Sequence, residues 1–366
     1  MNKPEKTTHE PLFHVIKRDT ISRPKAMFIR IIAVAAALLL CSILSYALIG
    51  ANPIKFISTL FDGTLGSSRR IWKLAKDSAV MLCIALAVTP AFRMRFWNTG
   101  AEGQVLVGAL ASVACVYYIG GSVPEWLLLI IMFAASLLAG AIWGGFPAIF
   151  KAKWGTNETL FTLMMNYVAT YLVAFFLMEW TPDGSSTLGE LALGHLPKLY
   201  NEYLLLILAV ILLTVLVYIY LNYTKQGYEI SVVGESENTA RYIGINVGKV
   251  ILRTMLVSGA ICGLAGFLIV GALDHSITTN TVGGQGFTAI MVSWLAKFNP
   301  LVMIGTSVLV IFLQQGAAQM STTFNVSSAF PDMVVGIILF FIIGCEFFIN
   351  YRIKFRTSHK KGGETK

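Results

Sequence analysis

The sequence predicts an all-α polytopic membrane protein with about ten transmembrane helices in two inverted halves, including short or discontinuous segments. Three observations carry this. Of 366 residues, 56% are hydrophobic and only 13% charged, about half the charged share of a soluble domain, and the mean hydropathy is +0.70. Apolar runs such as Ile31–Ile49 and Leu204–Tyr220 approach the ~20 residues that cross a hydrocarbon core of about 30 Å. The cations then sort by side, as set out below.

In order, a polar tail over residues 1–26, with no cleavable signal expected, precedes a membrane domain over 27–350. Spans are expected at 27–50, 74–92, 103–120, 125–150, 159–180, 202–222, 250–273, 284–297, 300–317 and 331–350, and a basic tail follows at 351–366. With the amino terminus inside, 22 of the 28 Lys and Arg fall on the inner side, which is the positive-inside pattern. Both termini are then cytoplasmic. The first outer loop is the exception, holding Lys55, Arg69, Arg70, Lys73 and Lys76. Asn52-Pro53 breaks the chain there, and Ile54–Phe61 reads as a short amphipathic helix. An outer partner and an ordinary solvated loop both fit those charges.

The net charge of +9 thus belongs to the membrane and gives no reason to expect nucleic acid. The five cysteines lie in apolar runs without a CxxC pair, which argues against a disulfide or metal framework. No GxxxxGK[ST], HExxH or GxSxG occurs, so no phosphate loop, catalytic residue, metal or cofactor is expected.

The most informative stretch is Phe96–Gln104, where a basic patch meets an apolar run. Glu102 is costly near hydrocarbon unless paired or hydrated, and Gly100 and Gly103 let the backbone break or approach something closely. Such a segment lines a cavity or is buried in protein. The other reading is an interfacial cap, with Asn98 starting a helix and Glu102 favoured by its dipole. Gly283-Gly284-Gln285-Gly286-Phe287 opens the eighth span in the corresponding way, and paired interrupted segments in inverted halves point to a transporter's path. Small residues at Gly140/Gly144 and Ser258/Cys262/Gly266 mark close helix packing. The inner connection Lys225–Lys249 is long and polar, with a short helix expected at Ser236–Ile243 that suits docking to a cytoplasmic partner. The spans hold almost no mid-membrane charge, which favours a pore driven from outside the chain over an ion-coupled carrier.

Several motifs resemble one family in the correct order. WNTGAEGQVLVGALAS (from Trp97) resembles the FNIGAEGQ signature of permease subunits in ATP-binding-cassette importers of nucleosides and simple sugars. Thr156–Leu160 with Met165-Asn166-Tyr167 resembles NE…TLMLNY, and Val233–Ile245 resembles G…AARYAGI. Ser258–Gly266 is similar to SGAxxGLAG, and Gly284–Pro300 to GxGFxxIAVALLGxxNP. The departures are Trp97 and Thr99 for Phe and Ile, and Ser293-Trp294-Leu295-Ala296 for Ala-Leu-Leu-Gly. The resemblance spans roughly residues 27–350.

It implies a type II-like importer permease in a bacterial inner membrane, of the nucleoside branch. The expected partners are cytoplasmic ATPase subunits, a second permease subunit (identical or related), an extracytoplasmic substrate-binding lipoprotein, a nucleoside or sugar substrate and membrane lipid. A loop over 225–249 would seat in the ATPase through Glu235, Ser236, Ala240, Arg241, Tyr242 and Gly244. Asn98, Glu102, Gln104, Asn157, Asn166, Gln285, Phe287 and Trp294 would line the path. They offer amides for a sugar and aromatics for a base. A stand-alone carrier using Glu102 as its proton site is the competing expectation.

Overall fold

The computed structural model describes residues 13–18, 22–181, 187–199, 201–327 and 329–355; the outer parts of the tails expected at 1–26 and 351–366 lie outside these. In chain order the elements are β1 (Phe13–Lys17), α1 (Arg23–Ile49), α2 (Pro53–Leu65), α3 (Ser68–Arg93), α4 (Ala101–Ile119), α5 (Glu125–Trp154), α6 (Glu158–Trp180) and α7 (Leu204–Tyr223). They continue with α8 (Lys225–Glu235), α9 (Glu237–Tyr242), α10 (Val247–Ile269), a π-helical turn (Val270–Asp274), α11 (Gln285–Leu295), α12 (Pro300–Phe324), α13 (Ala329–Asn350) and β2 (Tyr351–Phe355). Two compact units result, residues 1–63 with 314–366, and residues 64–313.

Eight of the described helices are long and apolar enough to cross a membrane. Two of the ten expected spans are not among them. At 284–297 the chain forms only the 11 residues of α11, about 16 Å at 1.5 Å per residue, which is half a bilayer core. Left-handed residues bound it on both sides: Gly283 and Gly284 (φ 58° and 79°) just before it, and Lys297 and Phe298 (φ 52° and 57°) just after. At 74–92, α3 is helical, but every residue from Ser78 to Phe92 is buried, so it is enclosed by protein on all sides.

In the first unit α1 packs on α13, with an ion pair between Arg30 and Glu346. β1 and β2, which no sequence pattern announces, pair antiparallel from Phe13↔Phe355 to Lys17↔Tyr351. This pairing puts the two ends of the unit side by side. The expected amphipathic helix is present as α2, with Phe56 and Leu60 buried and Ile54 and Phe61 exposed.

The second unit is built on close helix crossings. A Cβ at Gly140 would overlap the Gly259 carbonyl, one at Gly263 the Ser136 carbonyl, and one at Gly266 the Val105 carbonyl. α5, α10 and α4 therefore approach backbone to backbone, as small residues allow in a bilayer where apolar burial gives no drive to associate. Substituting Gly263→Ala should cost about 1–3 kcal/mol through overpacking. Gly305→Ala, at a site with nothing within 4 Å, should be neutral. Thermal unfolding of the two purified variants in lipid checks this, with a lower Tm expected for Gly263→Ala alone.

Candidate functional site

After Arg93 the chain leaves α3 through a turn with Arg95 left-handed (φ 61°) and runs through tight turns to Gly100. Arg95 and Trp97 are exposed, while Phe96 and Asn98 between and after them are buried. This segment brings the chain to the first turn of α4. An α-helix begins with four N–H groups that lack intrahelical partners, and here side chains from elsewhere supply them. Asn98 Oδ1 accepts from Gly100 N at 3.1 Å, and Asn166 Oδ1 accepts from Gly103 N at 2.9 Å. Asn166 Nδ2 also donates to the Thr99 carbonyl at 2.9 Å. Asn98 and Gln104 exchange amide hydrogen bonds at 3.1 and 3.3 Å, and Asn98 Nδ2 lies 3.4 Å from Ser258 Oγ. Thr99 Oγ1 lies 3.0 Å from Thr162 Oγ1.

Glu102 sits in the same first turn and turns outward to a second helix start. Its Oε1 accepts from Gly284 N and its Oε2 from Gly286 N, both at 2.7 Å. One carboxylate therefore lies at the N-terminus of α4 and caps the N-terminus of α11. Both helix dipoles favour negative charge at that point, and charge-assisted bonds are short and strong. Close approach is obligatory, since a Cβ at Gly286 would stand 2.5 Å from Glu102 N and 2.8 Å from its Oε2. The two glycine-interrupted stretches singled out in the sequence meet at this one group.

From the junction α11 runs alongside α3. Ser293 Oγ donates to the Ala85 carbonyl at 2.8 Å, and at the far end Phe298 stacks on Phe92 with centroids 6.1 Å apart. On the other side of the junction the chain approaches from the π-helical turn. There it is held by hydrogen bonds from Leu196 N to Gly271 O (2.8 Å) and Leu191 N to His275 O (2.7 Å). His195 stacks on His275 at 4.0 Å, and burial together with the neighbouring imidazole pushes the His275 pKa down.

The path residues expected from the sequence fall into three groups. Asn98, Glu102, Gln104 and Asn166 converge at the junction, where the three amides are buried and committed to mutual or backbone hydrogen bonds. Gln285, Phe287 and Trp294 lie on α11; Gln285 Oε1 is buried without a hydrogen-bond partner, while Phe287 and Trp294 are exposed. Asn157 lies apart as the exposed N-cap of α6, accepting from Leu160 N at 3.1 Å. It borders an apolar groove of about 400 Å³ along Leu160, Phe161, Met164 and Val168. The sequence pointed to the asparagines and glycines but not to Thr162, and it marked Ser258 only for helix packing and Trp97 only as a departure from the signature. Thr162 and Ser258 are ordinary hydroxyl residues inside apolar runs, and only tertiary contact gives them a role.

The residues expected to meet an ATPase form a continuous feature. α8 precedes the short α9, and Ser236 Oγ caps α9 by accepting from Thr239 N at 3.2 Å. Ala240 is fully buried, whereas Tyr242 is 92% exposed. Gly244, at φ 85°, turns the chain, and Ile245 N closes on the Ala240 carbonyl at 2.9 Å. Glu235 is the last residue of α8, and Arg241 pairs with Glu237 at 3.3 Å. The expected helix at Ser236–Ile243 is thus α9, and α8 is an addition the sequence did not suggest.

These features define a polytopic, predominantly helical membrane protein in which the half-length α11 is joined to the start of α4, with a capped helical segment outside the spans. Residues 70–343 match the family described as branched-chain amino acid transport system / permease component, and the chain belongs to it. It is 29% identical to a guanosine ABC transporter permease of Bacillus subtilis, covering 81% of this chain and 86% of that one. A nucleoside ABC transporter permease of Lactococcus lactis is 27% identical, covering 88% and 92%. A glucose ABC transporter permease of Haloferax volcanii is 28% identical over 88% of each. In fold it is similar to a solved ABC transporter in an inward-facing conformation (14% identity, TM-score 0.47, 89% and 99% covered).

Glu102→Gln leaves one acceptor for two N–H donors and sets an amide N–H₂ against the other. A loss of about 1–3 kcal/mol is expected for a buried bond to a charged group. Glu102→Asp, too short to reach both glycines, should lose a similar amount. Melting curves of the purified variants check this, and a Tm equal to wild type for Glu102→Gln would remove the carboxylate from its clamping role.

Proposed function

We propose that this chain forms the translocation path of an ATP-binding-cassette importer for nucleosides, in a bacterial inner membrane and with both termini cytoplasmic. Separate ATPase subunits would drive it, a second permease subunit, identical or related, would complete the pore, and an extracytoplasmic lipoprotein would deliver the solute. The observation that carries this reading is the joint at Glu102. A half-length helix, α11, whose start is held by a carboxylate at the start of the span α4, gives a break suited to a transporter's path. The relatives named for guanosine and nucleosides support the substrate. The relative named for glucose keeps a simple sugar in view.

The ATPase site in this reading is α9 with its flanks. A six-residue helix is too short to persist alone, yet this one is capped at both ends, anchored through Ala240 and topped by an exposed Tyr242. A cleft of about 310 Å³ lined by Lys151, Lys153, Glu237 and Arg241 lies beside it. As for the carrier alternative, Glu102 holds two backbone N–H groups and is engaged as an anchor rather than left open as a proton site.

The test is uptake into proteoliposomes holding the chain alone or with its ATPase, second pore subunit and binding protein. Nucleoside accumulation is expected only with the full set and ATP. Accumulation by the chain alone, abolished by collapsing the ion gradient, would overturn the reading. Gly244→Pro forces φ to about −65° where 85° is required, and Arg241→Glu reverses the charge at the exposed end of α9. Both variants should retain the membrane fold and lose at least tenfold in ATP-driven uptake, with uptake and ATPase rates read side by side.

A further inference from the structure

We propose that Trp97 and Trp294 together form a stacking platform on the path that favours solutes carrying a flat aromatic ring; the proposal rests on the nucleoside reading above. The two indoles stand 5.9 Å apart at 56°, and they are 45% and 52% exposed. Large aromatics inside a helical protein usually spend their faces on packing, whereas these two keep about half of theirs open. Both are held rigidly from behind. Trp97 lies between buried Phe96 and Asn98 and meets the edge of Phe92 at 5.6 Å. Trp294 follows Ser293, which is buried and bonded to the Ala85 carbonyl.

The surroundings indicate that the open faces meet water or polar solute rather than lipid tails. Arg95, two residues before Trp97 in the chain, is exposed as well. Phe287 lies seven residues before Trp294, on the same face of α11 and also exposed. A line of rings thus leads from the Glu102 junction to the tryptophan pair, while Gln285 Oε1 at the start of α11 is an acceptor without a partner.

Stacking suits a path because it is tolerant of which base is present and brings no buried charge or rigid set of hydrogen bonds. It rewards a nucleobase and offers nothing comparable to a free sugar. Both residues also depart from the pattern of the family the sequence resembles, and the structure shows the two departures touching. An interfacial aromatic anchor is the competing role for exposed tryptophans near cations.

The experiment uses the complete transporter in proteoliposomes and first measures uptake of guanosine, adenosine, uridine and cytidine by wild type. If none is carried, the nucleoside reading itself falls and the platform with it. For the nucleoside carried, Trp97→Leu/Trp294→Leu is compared with Trp97→Phe/Trp294→Phe, together with the Tm of each purified chain. The Leu pair should lower uptake about tenfold at an unchanged Tm, and the Phe pair should retain most of it. Undiminished uptake in the Leu pair, equal losses in both pairs, or a loss that tracks a fall in Tm would assign the indoles to anchoring or packing and overturn the proposal.

Discussion

The carboxylate of Glu102, shared between the N–H groups of Gly284 and Gly286, is the interaction on which the second unit depends. A chain at membrane depth has no water to satisfy its backbone, so an interrupted helix survives only if protein groups take over its orphan donors. α4 and α11 both begin inside the protein, and each needs partners for its first turn. Glu102 serves α11, while Asn98 and Asn166 serve α4. Without these, half-length α11 would leave peptide donors unpaired in a dry interior, at a few kcal/mol each.

The glycines are the other half of that constraint. At Gly286 only a hydrogen fits against Glu102, so the clamp and the glycine require one another. The same economy of space holds α5, α10 and α4 together, where Gly140, Gly259, Gly263 and Gly266 meet backbone rather than side chain. Rigid crossings on one side and a clamped break on the other leave α11 defined at both ends: at Glu102, and at Ser293 and Phe298 against α3. In the proposed function, movement would be imposed on this frame at α9 by a separate ATPase. The spans themselves carry little ionisable machinery of their own.

Much of this was legible in the sequence. Apolar run length gave the helical membrane class, and the spacing of small residues marked α5 and α10 as closely packed helices, though not that they pack on each other. The cost of Glu102 near hydrocarbon marked it as a residue that must have a partner, but nothing in one dimension said that the partner was Gly284–Gly286, some 180 residues later. α11 is shorter than the 284–297 expected because hydropathy counts apolar residues and does not see the left-handed Gly283 and Gly284 before it or Lys297 and Phe298 after it. α3 read as a span, yet it is enclosed by protein from Ser78 to Phe92; apolarity alone does not separate lipid from core. The β1–β2 pair was invisible because five-residue strands in polar tails carry too little periodicity to stand out.

The central claim is that one carboxylate fixes the start of α11, and amide hydrogen exchange measures this at the atoms concerned. In wild type reconstituted in lipid, the amides of Gly284 and Gly286 should exchange slowly; in Glu102→Gln they should exchange much faster, with the increase confined to the first turn of α11 and its approach. Equal exchange at Gly284 and Gly286 in the two proteins would contradict the account.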